Sequence, residues 1–557
     1  MLVRLGEALF PRTDFPESDP SLGGAEGWCP VTLSKLVVLQ DKHGWSDRET
    51  VRRARVDLQV KACLGLGIEQ NGPSQPTLCR HRQRMQELGL DERYQQRLRR
   101  ILEAVELVSA TEPVLIDSVP VHGAGQQLDT YNLLAAAVRK GLRELAEQQQ
   151  RQVQEVADEL GLSQYLDRSV KGHFGVDWSD HTLRTQVLTQ LVSDALRVRD
   201  LLARLAITNE QPERVSEDDG DEQSNDPPSA VEIIDDIIEH DIEMDATGQV
   251  EGITQRAAGD RLISVTDPDM RHGAKSASKL IAGFKAQIVA TVTYGFILLT
   301  QVIRANEHDG KALPAVAEKL RLEGLRPKWW GGDHAYGTIT NHHWFETEEE
   351  GELVARMTRP SNRGRFTKDD FAYHFDTKTL TCPAGVSLAK GSWQIRHERK
   401  GRLFVFPAET CGRCPQRKHC VSSKAKQGRT VFIVDRDEYL IRKHLERRQH
   451  PEFLERIRHR PAVERAIAGF AQCGGKQARR FGMPNVAFEA NLSALAYNLR
   501  RLGSLSGANT ALASHVAEAA AAAVRALAQP WRPILDLLRH LWWPTRCPQP
   551  ALCALAA

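Results

Sequence analysis

The run from Ala286 to Ile303 carries no charged residue and approaches the length, about 20 residues, at which an apolar helix spans a bilayer. Its contents argue against a spanning helix. Gln287, Thr291, Thr293, Tyr294, Gly295, Thr300 and Gln301 interrupt it, and KAQIVATVTYGFILLTQVI is rich in β-branched residues around a Tyr-Gly turn signal. Two buried strands satisfy that pattern, so the chain is expected to build a sheet with covered faces and to have no membrane partner.

A second apolar run, PVLIDSVPV at 113–121, reads as another buried strand with one acid inside it, and PKWWGGD is a third that ends in the turn DHAYG. RLISVT reads as a strand too, and Asp309 is placed to cap a helix through KALPAVAEKLRLEG. Between the strands lie helical patterns, most clearly DTYNLLAAAVRKGLRELAEQQQ and HTLRTQVLTQLVSDALRVRDLLARL. The fold class expected is α/β: one mixed domain interrupted by inserts and preceded by an all-helical segment. The divisions predicted are a helical N-terminal domain over 1–110, a first piece of the mixed domain over 111–127, and a helical insertion over 128–207. An acidic linker over 208–230, further sequence of the mixed domain over 231–357 and a Cys-rich insert over 358–445 follow. Helices over 446–505 complete the mixed domain, and 506–557, rich in Ala and then in Trp and Pro, reads as a peripheral tail.

Charge sharpens this picture. The chain has 74 Lys and Arg against 72 Asp and Glu, a net of +2. Residues 209–245 hold fifteen acids and a single Arg, so the remainder is clearly basic. A basic body suits a polyanionic partner, because cations that meet phosphates release condensed counterions. In the N-terminal segment Ser46 precedes the helical pattern DRETVRRARVDL, and Ser74 or Thr77 can start the next helix, along which Arg80, Arg82 and Arg84 lie. A helix-turn-helix-like module fits, and a helical oligomerisation domain with a solvated basic face is the bland alternative. The first twenty residues contain no apolar stretch of signal-peptide length, which gives a cytoplasmic expectation, nucleoid-associated when bound to DNA.

Phosphodiester cleavage at neutral pH needs an activated water and a stabilised leaving oxygen, which a pair of metal ions can supply. Mg²⁺ takes few protein ligands and prefers oxygen, so such a site needs acids converging from separate parts of the chain. Asp117, inside VLIDSV, and Asp333, at the end of PKWWGG, sit where strands present functional groups. Glu464 lies on a helical pattern with Arg460 one turn earlier. Singly, each of these acids is as readily a cap or a salt-bridge partner.

Taken together, four stretches resemble bacterial insertion-sequence transposases of the DDE superfamily. They are GWSDRETVRRARVDLQVKACLGLG with PSQPTLCRHRQRM, then VLIDSVPVHGAGQQLDTYNLL, GGDHAYGT, and RPAVERAIAGF with ANLSALAYNLRRL. The resemblance spans most of residues 30–505, and the long helical insertion with a cysteine-rich insert is similar to one subgroup. It implies an RNase-H-like catalytic domain, metal-binding acids at Asp117, Asp333 and Glu464, Mg²⁺ or Mn²⁺ as a pair of ions, and an Arg at 460. In the related pattern a Tyr often precedes that Arg and a Lys follows the glutamate, where this chain has Ile457 and Ala471; Lys476, Arg479 and Arg480 are the candidates to contact DNA instead. SVTDPDMRHGAKSASK also resembles the subgroup, which makes Asp267 and Asp269 rival ligands. The plainer reading there is an Asp-Pro turn with Arg271 and Lys275 facing phosphate.

Cys411 and Cys414 form a C-x-x-C, with Cys420 after it and Cys382 upstream in TCPAG. Four thiolates can close a structural Zn²⁺ site, His419 is an alternative ligand, and free thiols are the plain reading. The other six of the ten cysteines are scattered. The function expected is a transposase that binds the ends of an insertion sequence and catalyses metal-dependent cleavage and strand transfer into target DNA. Its partners would be double-stranded DNA, terminal inverted repeats and target alike, and further copies of itself, at least as a dimer. A nuclease of the same fold without end joining, and an inactive or domesticated DNA-binding relative, remain as alternatives.

Overall fold

The structure, a computed structural model, describes residues 1–15, 27–167, 170–209, 228–254, 259–276, 279–348, 351–357, 362, 364–396, 399–422 and 427–528. The chain divides into two compact units: residues 1–109 with 472–474 and 491–557, and residues 110–471 with 475–490.

The second unit is built on a six-stranded mixed sheet. The uncharged run forms two of its strands, Lys279–Thr291 and Ile297–Arg304, paired antiparallel. The chain reverses through Tyr294 and Gly295, where Gly295 takes φ +70° and the Phe296 N–H donates to Thr291 Oγ1 at 3.0 Å. The strand Val114–His122 lies antiparallel against Lys279–Thr291 on one side and parallel to Trp329–Gly331 on the other, with Glu352–Val354 beyond. Arg271–Ser276 pairs with the start of the long strand. This mixed α/β arrangement is consistent with an RNase-H-like fold. Both faces of the central strands are covered, as their nearly continuous apolar sequences require. Among the described residues no helix is long and apolar enough to cross a membrane.

The helical insertion has a core of its own. Helices Thr130–Gln148, Val153–Leu160 and His181–Asn209 pack together, and Asp129 caps the first by accepting the Asn132 N–H at 3.1 Å. Residues 230–241, assigned from sequence to the linker's end and the resumed catalytic domain, instead form helix Ala230–Asp241. A Ser229/Glu232 capping box starts it, and Ile233, Ile234 and Ile237 bury into the insertion's core. RLISVT is not a strand. Leu262 and Val265 are buried against that same core, Ile263 is buried too, and the segment's apolar residues reflect this burial without sheet pairing. Most of the acidic linker lies outside the described residues.

The Cys-rich insert holds two three-stranded sheets around a small core of Phe371, Tyr373, Leu380, Phe404, Phe406, Val431 and Ile433. In the first unit six α-helices lie between Leu2 and Ala104 among the described residues. The Ser46 hydroxyl accepts the Glu49 N–H, and Ser74, rather than Thr77, caps the helix Gln75–Glu87. Of the segment read as a tail, Thr510–Ala528 is a helix packed on Leu2–Leu9 and Leu90–Ala104, and 529–557 lie outside the described residues.

Candidate active site

The first strand and the short strand Trp329–Gly331 run parallel with Leu115 opposite Gly331. Carrying that register two residues on brings Asp333 level with Asp117. Gly331 permits the approach, since a Cβ there would lie 2.5 Å from Leu115 Cδ2. Each strand acid is oriented by a backbone amide. Asp117 Oδ1 accepts the Ser118 N–H at 2.8 Å, and Asp333 Oδ1 accepts the Ala335 N–H at 2.8 Å, closing the DHAYG turn.

The other oxygen of each acid is turned toward Arg460. Its Nη2 lies 3.9 Å from Asp117 Oδ2 and 3.9 Å from Asp333 Oδ2. Its Nε lies 3.7 Å from Glu464 Oε1, one turn along the helix Pro461–Gln472. The three acids are thus gathered around one guanidinium, and exposure rises from 18% for the Asp117 side chain through 31% for Asp333 to 60% for Glu464. These are loose, partly solvated pairs, which carry little net energy. Their worth is positional: a cation stands where three like charges would otherwise repel. Among the described residues no three acidic, His or Cys side chains form a ready metal cage. The donors fit a hard divalent ion all the same, being oxygen only, with Asp117 and Asp333 each holding one oxygen by a backbone amide and aiming the other at a common point.

Asp309, expected to cap a helix, belongs instead to this neighbourhood. His308 caps the short turn there, the helix Leu313–Leu322 starts without a side-chain cap, and Asp309 accepts Ser118 Oγ–H at 2.7 Å and Lys285 Nζ–H at 2.7 Å. Beneath the acids Tyr336 is fully buried, its hydroxyl donating to Gln287 Oε1. Burial, reinforced by the charges of Asp309, Asp117 and Asp333, pushes its phenol well above its ordinary value, so it stays protonated. Asp309 read as a helix cap, and Tyr336, although inside GGDHAYGT, carried no role of its own in the sequence.

A hollow beside the acids is lined by Asp333, His334, Arg356, Arg456, Ile457 and Arg460 among others. Ile457, one of the two departures from the related pattern, therefore faces the site as an apolar wall. Lys476 is exposed, and its backbone carbonyl accepts the His122 N–H at 2.9 Å, which anchors it at the end of Asp117's strand. Arg479 and Arg480 are drawn to the buried Glu489, the latter at 2.8 Å, and Arg480 also lies over Phe488.

Asp267 and Asp269 are not brought to the three acids' common point. Asp267 Oδ1 accepts the Gly482 N–H at 3.1 Å and Asp269 Oδ2 the Met483 N–H at 2.8 Å, so both serve the start of the helix Met483–Ala508. Arg271 does not face outward to phosphate either. It is buried and closes the Asp-Pro turn through the Met270 carbonyl at 3.0 Å and Asp260 at 2.9 Å. The Lys275 side chain lies outside the described residues.

On the helix Gln75–Glu87, Arg80 and Arg84 are exposed. Arg82 is turned inward: 14% exposed, it makes a two-pronged pair with Asp47 at 2.6 and 3.1 Å and a 3.0 Å bond to Gln40 Oε1. The spacing of three arginines at every second position cannot keep all of them on one helical face.

Residues 381–503 match the family described as Transposase DDE domain, and residues 7–84 match Transposase domain (DUF772). The first match contains Glu464 and the cysteine cluster, the second contains Arg80 and Arg82, and Asp117 and Asp333 lie in neither. No curated protein and no solved structure matches the chain. Two transposase families matched at separate segments, together with the mixed sheet and its helical N-terminal region, indicate that the chain is an insertion-sequence transposase of the DDE class.

Proposed function

We propose that this transposase binds the terminal repeats of its element and catalyses divalent-metal-dependent strand cleavage followed by strand transfer, with Asp117, Asp333 and Glu464 as the metal ligands. The observation that carries the reading is the convergence of all three acids on Arg460 from parts of the chain far apart in sequence. Mg²⁺ or Mn²⁺ bound as a pair by such oxygen donors supplies an activated nucleophile and a stabilised leaving oxygen. The chain's own contribution is positional and electrostatic. Amides of Ser118 and Ala335 hold the two strand acids in place, and Asp309, through Ser118, steadies the strand beside Asp117. Arg460, nearly half exposed, can follow a phosphate and offset the charge that builds on it during displacement. Arg80 and Arg84 offer the duplex backbone an exposed cationic stripe, with Lys476 supplying a further contact near the acids and Arg479 and Arg480 lining the same segment.

The test uses duplexes carrying the element's ends, with and without Mg²⁺. Asp117→Asn, Asp333→Asn and Glu464→Gln should each retain end binding and lose cleavage and joining by at least about a thousandfold, as expected when transition-state charge stabilisation is removed. A Glu464→Gln protein that still cut and joined DNA would take that residue out of the site. Pre-cut ends that are never joined to a target plasmid would mark a nuclease, and wild type that binds ends but never cuts would mark an inactive relative.

A further inference from the structure

The Cys-rich insert brings Cys382, Cys411, Cys414 and Cys420 to the wall of a single cavity, which is otherwise lined by Phe366, Phe371 and Phe406 with Arg417 and Arg429 at its margin. The convergence is not a by-product of spacing, because Cys382 reaches the cavity from a different hairpin. Its strand Thr379–Thr381 ends in a tight turn in which the Gly385 N–H donates to the Cys382 carbonyl at 2.8 Å and the Cys382 N–H donates to Val386 O at 2.9 Å. Across the cavity, Cys411 ends its own turn with Cys414, and the Arg429 N–H points at Cys411 Sγ at 3.4 Å. An amide aimed at sulfur stabilises a thiolate more than a thiol. His419 is exposed and does not line the cavity.

We propose that these four cysteines bind one structural Zn²⁺ as tetrathiolate ligands, with His419 excluded. All four thiols are partly exposed and unpaired as disulfides. In this structure they line the cavity without being drawn to one point, so binding would contract it and join the 379–389 hairpin to the 408–420 helical turns. The insert has reason to need that link. Among the described residues its separate core comprises seven buried apolar side chains, too few to hold two small sheets together without a staple. Each thiol releases its proton on binding, and the Arg417 and Arg429 guanidinium groups offset the surplus negative charge of a tetrathiolate centre.

The experiment uses the full chain purified without added metal. Expected are about one zinc per chain by elemental analysis and an X-ray absorption shell of sulfur alone at about 2.3 Å. Replacing zinc with Co²⁺ should give the visible bands and sulfur-to-cobalt charge transfer of a tetrahedral thiolate site. Cys411→Ser with Cys414→Ser should lower bound zinc at least tenfold, whereas Cys63→Ser, in the other unit, and His419→Ala should leave it unchanged. Should the double variant fail to fold, the absorption shell of the wild type still decides. A nitrogen or oxygen shell, a folded wild type with no zinc and no Co²⁺ spectrum, or a disulfide within the four would each overturn the proposal.

Discussion

At the scale of single residues, the most informative side chain is Asp309, which ties Lys285 to Ser118 beside the first acid. The pair is mostly buried, the Lys285 side chain being 13% exposed and that of Asp309 19%. Removing the carboxylate strands an ammonium in a poorly solvated place. Asp309→Ala should therefore cost about 2–3 kcal/mol in urea unfolding and slow cleavage, with Asp309→Asn recovering the Ser118 bond and part of the rate. Asp267 predicts a pH dependence. It is fully buried, its Oδ2 has no hydrogen-bond partner among the described residues, and burial lifts its carboxyl to about 6, against the Gly482 N–H bond, with Asp269's charge adding to the rise. A carboxyl with a raised folded value stabilises the fold below the unfolded value near 4 and loses that contribution as pH climbs to about 6. Asp267→Asn should consequently be about 2 kcal/mol more stable than wild type at pH 7 and indistinguishable from it at pH 4 by thermal denaturation. Asp117 and Asp333 drew notice as acids in or just after apolar strands, but only the motifs around them, taken together, set them apart from capping or paired acids. Asp309 was not singled out for the site, because an acid before a helix obeys the pattern of a cap.

Single helices and strands were legible in proportion to how far their pattern was enforced locally. The Tyr-Gly reversal, the Ser46 and Ser74 caps and the long insertion helices all follow from residues adjacent in sequence. RLISVT misleads because a short run of β-branched and apolar residues reports burial, and what buries Leu262 and Val265 is a helical core and not another strand. Ala230–Asp241 was concealed by its charge, although its Ile spacing and capping box are helical signals. Ile234→Asp should undock that helix and destabilise the insertion by about 3–5 kcal/mol, readable as lost near-ultraviolet circular dichroism. The helix Gln75–Glu87 separates two kinds of arginine. Arg82→Ala should destabilise the N-terminal helices by about 2–3 kcal/mol, because Asp47 loses its counter-charge and keeps only the Gln40 and Cys79 bonds. Arg80→Ala and Arg84→Ala should leave melting unchanged, weaken binding to any duplex and each reduce the salt-dependence slope by about 1.

In the whole molecule, charge is divided by segment: a basic body and an acidic stretch that nearly cancel in the sum. Composition therefore pointed to a polyanion only once the two were separated. The candidate site could not be assembled from local pattern at all, since its acids lie on a strand, in the turn after another strand and on a helix that only the fold brings together. One connection sets the order in which it comes together. The end of the first strand is bonded through His122 to Lys476 and Ala478, and the Gln477 side chain reaches the His122 carbonyl from 355 residues away. At about 5–20 residues per second of synthesis, that partner leaves the ribosome tens of seconds after the strand. The insertion between them has its own core and local helices, so pulsed hydrogen exchange during refolding should protect residues 130–160 before the His122 and Ala478 amides. The N-terminal helices are completed later still, because Thr510–Ala528 packs on Leu2–Leu9 and Leu90–Ala104, whereas the unit that holds the sheet ends at residue 490.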